Sequence, residues 1–149
     1  VLANAAMGAL GRLGFPACMP VLLDLLSDPR LAEPAASAIE RITGQAVPRG
    51  APPKPSPSLS EDELDLWEPT PPPDVPAAHD WWKANEAKFD LNKRRQAGVC
   101  VSDDPLGPVF ELLPLAIRHD VYLRQRALVG DTPNWELETW SWWQKSPCW

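Results

Sequence analysis

Apolar residues in the first 45 positions recur every three or four residues, which is the period of amphipathic helices. Gly14, the tripeptide Ser27-Asp28-Pro29 and Gly44 interrupt this pattern and divide it into three predicted helices. The second helix is predicted to begin at Pro16, and the third to run from about Leu31 to Thr43. The residues expected to face the core are Ala6, Ala9, Leu10 and Leu13 in the first helix, Cys18, Met19, Val21, Leu22, Leu25 and Leu26 in the second, and Ala35, Ala38, Ile39 and Ile42 in the third.

The first and third of these helices share a pattern of small and apolar residues at an offset of 29 positions. Five positions match within a short stretch, so we interpret the two helices as an internal repeat. Small residues at such positions let neighbouring helices approach closely, as stacked helices require. The aligned pairs are Ala6 with Ala35, Ala9 with Ala38, Leu10 with Ile39, Arg12 with Arg41, and Leu13 with Ile42.

Several short motifs accompany this repeat. They are Leu13-Gly14, Pro16, Pro20-Val21-Leu22-Leu23, Leu25-Leu26, Asp28-Pro29, Leu31, and the stretch from Ala35 to Ile42. Together these motifs resemble the HEAT-like helical repeats of short period, over about a third of the chain. The resemblance implies an all-α fold, a short α-solenoid and a protein-binding scaffold, and by itself it does not imply any activity.

Residues 46–76 contain ten Pro, and two basic and six acidic residues give them a net charge of −4. This composition predicts a linker between two helical parts, residues 1–45 and 77–149. Within it, Ser60 followed by Glu63 fits a capping box and predicts a short helical island at 60–67. Two interpretations of the island stay open. Leu64, Leu66 and Trp67 form a short linear motif for a protein partner, or Trp67 anchors the linker on its own domain.

Residues 77–149 predict four more helices. The first runs from Ala77 to Ala97 and is closed by Gly98. The next two run from about Leu106 to His119, bent at Pro114, and from Asp120 to Val129, and the last begins at Pro133. The third of them repeats the spacing of Asp28, Leu31 and Ala35 and is interpreted as a degenerate HEAT-like hairpin.

Tryptophan is abundant in this second part, which holds seven of the eight in the chain. We interpret the set as core, because each ring buries a large area, with an interface role as the alternative. The part also carries Trp81-Trp82, Phe89, Arg95, Gly98, Leu123-Arg124-x-Arg126-Ala127 and Trp143-Gln144. These motifs resemble the C-terminal region of an uncharacterised HEAT-repeat family of proteobacteria, some members of which lie near type VI secretion genes. That resemblance implies a bacterial cytoplasmic protein, for example an effector adaptor or an immunity protein.

Catalytic chemistry has little support in the sequence. It contains no phosphate-binding glycine loop and no zinc-hydrolase motif. The pairs His79-Asp80 and His119-Asp120 are adjacent residues whose side chains diverge by about 100° on a helix, so we interpret them as surface or capping residues. Cys18, Cys100 and Cys148 have no base partner in the sequence. We therefore predict no catalytic residues, no cofactor and no metal site.

Charge and hydropathy bear on the kind of partner. A net charge of −6 disfavours nucleic acid, since phosphate binding needs clustered cations, and no apolar run is long enough to span a membrane. Lys93, Arg94 and Arg95 are expected at a helix C-terminus, where cations are favoured, with phosphate binding as the alternative. The chain opens inside a helical pattern, so we expect a piece of a longer protein.

Taken together, these features predict a non-enzymatic protein-binding scaffold or adaptor in the cytoplasm. The alternatives are a helical-repeat nucleic-acid binder or enzyme, and a non-catalytic fragment of a larger enzyme. The candidate partner-binding residues are Lys93, Arg94, Arg95, Trp140, Trp142, Leu64 and Trp67.

Overall fold

The computed structural model describes residues 2–101 and 113–129. These residues are mostly helical, with one small hairpin, so the all-α prediction is confirmed at the level of fold class. The predicted helix from Pro133, with Trp140 and Trp142, and the first part of the helix from Leu106 lie outside the described residues. The elements are α1 (Leu2–Leu13), α2 (Met19–Leu25), α3 (Ala32–Thr43), α4 (Glu61–Asp65), α5 (Val75–Asn85), β1 (Arg95–Gln96), β2 (Val99–Cys100) and α6 (Leu115–Val129), with 3₁₀ turns at Pro16–Cys18 and Glu86–Lys88.

The three helices predicted in the first 45 residues are present. Gly14 and Gly44 follow α1 and α3 with φ angles of 75° and 70°, a left-handed conformation that glycine adopts without steric penalty. Pro20 lies in the first turn of α2, where its missing N–H removes no helical hydrogen bond. The punctuation in the sequence therefore fixes where these helices begin and end.

The two helices related by the 29-residue offset, α1 and α3, pack directly against each other. They approach closely at Gly11, where an added Cβ would lie 3.1 Å from Cα of Ala38. The second helix, α2, also packs on α3. Related helices are thus neighbours in space, held together at small residues.

The inward face predicted for α3 is confirmed, since all four of its expected core residues are buried. The face predicted for α1 is wrong in part. Ala6, Ala9 and Leu13 are exposed, whereas Met7 and Gly11 are buried, because α3 crosses α1 at Gly11. The remaining expected residue of this helix, Leu10, is half-buried.

In α2 one expected core residue, Val21, is exposed, and its neighbour Leu23 is buried instead. The helix has two packing partners, α3 and α5, so its buried face extends to both sides of Leu22. From the second part of the chain, Ala78 and Trp82 of α5 join the same hydrophobic core as Leu22.

The predicted helix from Ala77 to Ala97 is wrong beyond Asn85, where α5 ends. The Asn85 side chain donates from Nδ2 to the carbonyl oxygen of Trp81 at 2.7 Å and so competes with the helical backbone. After a 3₁₀ turn, Phe89 folds back on Trp82, with ring centroids 5.3 Å apart. The free energy gained by packing Phe89 on Trp82 exceeds the free energy that a polar helix would gain by continuing past Asn85.

Instead of a helix end, the chain forms a hairpin. In it β1 and β2 pair antiparallel, with Arg95 opposite Cys100 and Gln96 opposite Val99. Ala97 and Gly98 form the two-residue turn with φ angles of 49° and 77°, as a type I′ turn requires. Gly98 is therefore a turn residue and not a helix stop.

The two helices predicted on either side of residue 120 are one helix, α6. Pro114 lies just before it and accepts hydrogen bonds from the N–H groups of Ile117 and Arg118, so it starts the helix and does not bend it. A second, small hydrophobic cluster joins α6 to the residues before it. It consists of Val101, Leu113, Val121 and Tyr122.

Candidate functional site

The hairpin lies across the C-terminal ends of α1 and α3. Its backbone N–H groups donate to their terminal carbonyl oxygens, from Arg95 to Gly14 at 2.7 Å, from Ala97 to Arg41 at 2.6 Å and from Gly98 to Ile42 at 3.1 Å. The last carbonyls of a helix have no partner within the helix. The hairpin therefore caps both repeat-related helices at once.

Two hairpin side chains complete this cap. Arg94 donates from Nε to the carbonyl oxygen of Leu13 at 2.6 Å and from Nη2 to that of Arg12 at 3.0 Å. Gln96 is 1% exposed, and its Nε2 donates to the carbonyl oxygens of Gly11 and Arg12, each at 3.0 Å. Its Oε1 accepts from Nε of Arg41 at 2.8 Å, so all the polar atoms of this buried amide have partners.

The three basic residues singled out in the sequence occupy different environments. Lys93 is exposed, and Arg94 caps α1. Arg95 stacks over the ring of Phe89, with its Cζ 4.7 Å from the ring centroid, and donates to the carbonyl oxygens of Gly98 and Lys88. Its buried Nε has no hydrogen-bond partner in the part of the chain that the structure describes. Arg94 and Arg95 thus have structural contacts that the expected helix end would not have given them.

A groove of about 420 Å³ opens between α1, the hairpin and α6. Its residues come from all three elements and combine an apolar floor with charged sides. They are Ala9, Arg12, Leu13, Arg94, Gln96, Asp120, Val121 and Arg124. Arg94 therefore has a second role here, because it both caps α1 and lines the groove.

The groove carries positive charge in an acidic chain. Among the described residues that line it, three Arg against one Asp give a net charge of +2, whereas the whole chain carries −6. Asp120 binds Arg41 at 2.6 Å and Arg12 at 3.4 Å, which ties α6 to both repeat-related helices. Burial lowers the pKa of Arg124 below its ordinary value, since the charge loses hydration there.

Sequence reasoning did not identify this groove. Arg12 and Arg41 did stand out as an aligned charged pair in a repeat that is otherwise small and apolar. That alignment was the available signal, because a charge conserved between repeat units commonly has a shared partner. The partner, Asp120, is 79 residues away from Arg41 and no local pattern links them.

The Pro-rich segment is closed at its base. Pro48–Gly50 and Pro72–Asp74 form an antiparallel bridge, in which Gly50 N–H donates to Pro72 O and Asp74 N–H donates to Pro48 O, both at 2.8 Å. Arg49 in this bridge pairs with Glu33 and Glu40 of α3. We call this base the neck, and the chain that it closes, residues 51–71, the loop.

The predicted island lies in the loop and has the predicted cap. Ser60 N–H donates to Glu63 Oε2 at 2.9 Å, and Glu63 N–H donates back to Ser60 Oγ at 3.4 Å. Leu64, Leu66 and Trp67 are 42%, 83% and 39% exposed, and none of them belongs to either hydrophobic cluster of the described residues. Leu66 is therefore the most exposed of these three side chains, and Trp67 is not packed on either described core.

The other candidates have ordinary surroundings. His79 and Asp80 are exposed on α5, and His119 is exposed on α6, while its neighbour Asp120 binds arginines. Burial raises the pKa of the Cys18 thiol, and its Sγ donates to Phe15 O at 2.9 Å. A thiol with a raised pKa is a poor nucleophile at neutral pH.

Among residues 2–101 and 113–129, no group of three or more His, Cys, Asp and Glu side chains is arranged to hold a metal ion. No helix in the same residues has the length and apolar character needed to cross a membrane. Comparison of the chain with protein-family models, curated proteins and solved structures finds no match.

Proposed function

We propose that this chain is a non-enzymatic scaffold of HEAT-like helical repeats, which binds a segment of a protein partner in the groove between α1, the hairpin and α6. The observation that carries the proposal is the groove itself, with its apolar floor and its net positive lining. Such a lining suits a partner segment that combines bulky apolar residues with carboxylates.

The repeat also supports a partner at this place. In α3, Ala38 contacts Gly11 of α1. The residue of α1 aligned with Ala38 is Ala9, which is exposed and lines the groove. Each helix in a stack of repeats packs against the one before it, so the groove corresponds to a stacking surface.

The resemblance of the motifs in residues 1–45 to HEAT-like repeats supports the solenoid, and with it a scaffold. The second resemblance supports a cytoplasmic bacterial protein that serves as an effector adaptor or an immunity protein. Binding through Arg94 agrees with the expectation that the basic segment contributes to a partner surface. Lys93 and Arg95 lie outside the lining of this groove.

Selection of random displayed peptides on the full chain tests the proposal. We expect enriched peptides to carry Trp, Phe or Leu beside Asp and Glu. Leu13→Asp should weaken their binding at least ~10-fold, because it puts a carboxylate on the groove floor. The matched control is Val21→Asp, since Val21 is exposed on α2 to 55%, close to the 51% of Leu13, and does not line the groove.

Three outcomes would contradict the proposal. They are enrichment of no peptide, enrichment of basic peptides, and binding that Leu13→Asp leaves unchanged. Salt-sensitive binding of a DNA oligonucleotide in preference to every acidic peptide would favour the nucleic-acid alternative.

A further inference from the structure

The loop of this chain has the chemistry that its own groove would recognise. The stretch from Ser60 to Glu68 contains five carboxylates and no basic residue. Leu66 and Trp67 lie between Asp65 and Glu68, so an exposed apolar pair is flanked by negative charge. The sign of the flanking charge is opposite in the groove, where Leu13 and Val121 lie among arginines.

Two features restrain the loop before it makes any contact. The neck fixes both of its ends with paired backbone hydrogen bonds, and the capping box fixes the turn that precedes Leu66. Ordering a segment is a main cost of binding, so a segment closed at its base and capped within loses less entropy when it docks.

We propose that the loop of one copy of this chain docks Leu66 and Trp67 into the groove of a second copy. Neither side chain lines the groove of its own chain, and Leu66 is 83% exposed, so the pair is available for a contact between copies. The inference rests on the proposed function, because it names a second copy as a partner of the same groove. One loop and one groove per chain make the contact either a reciprocal dimer or a head-to-tail assembly.

Sedimentation velocity of the full chain at increasing concentration tests the inference. We expect the wild type to associate, and both the Leu66→Ala/Trp67→Ala variant and the Leu13→Asp variant to remain monomers. An equimolar mixture of these two variants should form a complex again, because the first keeps an intact groove and the second an intact loop. The Val21→Asp control should behave as the wild type does, and raised salt should weaken every complex.

The contradicting results are specific. A wild type that stays monomeric at every soluble concentration would overturn the inference, and so would association that survives Leu66→Ala/Trp67→Ala. A mixture of the two variants that stays monomeric would overturn it as well. A monomeric wild type whose loop is protected from proteases by its groove would show instead that the contact forms within one chain.

The same variants separate this inference from the proposed function. A labelled peptide of residues 58–69 should bind the loop variant and fail to bind Leu13→Asp. If selected foreign peptides bind the groove and the 58–69 peptide does not, the scaffold stands and self-association fails. If neither kind of peptide binds, the proposed function fails as well.

Discussion

At the scale of single residues, Gln96 shows how much one buried polar side chain can organise. Its amide connects α1 with α3 through the carbonyl oxygens of Gly11 and Arg12 and the guanidinium of Arg41. Gln is usually an exposed residue, so nothing in its local sequence indicates this role.

Gln96→Ala should lower the free energy of unfolding by about 2–4 kcal/mol, because it removes the amide that donates to the carbonyl oxygen of Gly11 and leaves Nε–H of Arg41 without its acceptor, while Arg12 O keeps Arg94 as a donor. Urea unfolding measures the change. Asn92→Ala is the control, since Asn92 is exposed and its side chain makes no hydrogen bond within the described residues. Its backbone N–H, which donates to Asp90 Oδ1, is kept in the variant. Equal effects of the two substitutions would show that the amide does not bind α1 to α3.

A pair of adjacent residues in α2 tests the core assignment. Leu22 is fully buried, and Val21 is 55% exposed. Leu22→Ala should therefore destabilise the protein by about 2–5 kcal/mol, through lost apolar burial and the cavity left behind. Val21→Ala should change the stability by no more than ~0.5 kcal/mol. Thermal or urea unfolding measures the stability of both variants. A larger loss of stability for Val21→Ala than for Leu22→Ala would show that the buried face of α2 is assigned wrongly.

At the scale of elements, the hairpin and the end of α3 are fitted to each other at Gly44. A Cβ at this position would lie 2.4 Å from Ala97 O, and its φ is 70°. Gly44→Ala should therefore destabilise the protein by ~2 kcal/mol or more, through steric overlap and left-handed strain.

Gly8→Ala is the opposite case in the same fold. Gly8 lies within α1 with nothing within 4 Å of an added Cβ, so the change should stabilise the protein by about 0.5–1 kcal/mol through higher helix propensity. Urea unfolding compares the two glycines, and a Gly44→Ala variant as stable as the wild type would mean that the hairpin moves aside.

The island of the loop should depend on pH. Hydrogen bonds from Ser60 lower the pKa of Glu63 below its ordinary value. A carboxyl with a lowered folded-state pKa stabilises the folded turn at pH above its unfolded pKa, and this stabilisation is lost as pH falls through the folded value. We expect the α4 turn to loosen below pH ~4, followed by NMR shifts of the Ser60 and Glu63 amides.

Glu63→Gln is the matched control, since its amide oxygen can accept the same hydrogen bonds without titrating. The variant should keep the turn at low pH. If the wild-type amide shifts follow those of the variant down to pH ~2, the carboxylate does not hold the cap.

At the scale of the whole molecule, the structure narrows the linker predicted at 46–76 to the loop, residues 51–71. Helix α5 of the second part shares the hydrophobic core of the first part, and the neck pins Arg49 to α3. In limited proteolysis, a glutamate-specific protease should therefore cut the loop at Glu63 long before it cuts Glu33 or Glu40 of α3. Trypsin, in a separate digest, should spare Arg49. Mass spectrometry of early fragments identifies the sites. Early cleavage at Arg49 would show that the neck opens readily.

Much of the helical architecture was predictable because its causes are local. Gly14, Gly44 and the Ser60–Glu63 box act through their own backbone or near neighbours, and the boundaries predicted there are confirmed. The second helix, predicted from Pro16, begins there with a 3₁₀ turn and becomes α-helical at Met19. The failures were at places where two patterns compete. The polar stretch after Asn85 suits a helix by composition, but Phe89 gains more by packing on Trp82 than the helix gains by continuing.

The candidate site was predictable only in part. The sequence singled out Arg94, which lines the groove, and Leu64 and Trp67, which are presented by the loop. It did not indicate Asp120 or Gln96, because their partners are more than 50 residues away in the chain. It also put Leu13 in the core, since an apolar stripe shows which face of a helix is apolar but not which neighbour covers it.

The sequence by itself determined the all-α class, the C-terminal ends of α1 and α3, the pattern that these two helices share at an offset of 29, and the capped island. These depend on spacing, on glycine and proline, and on side chains within one helical turn of one another. Tertiary structure alone decided that a hairpin caps α1 and α3, that Asp120 joins them to α6, and that a positively lined groove opens beside Leu13. The physical reason is range, since these contacts depend on which helix crosses which, and on the pairing of charges and carbonyl groups that are distant in the chain.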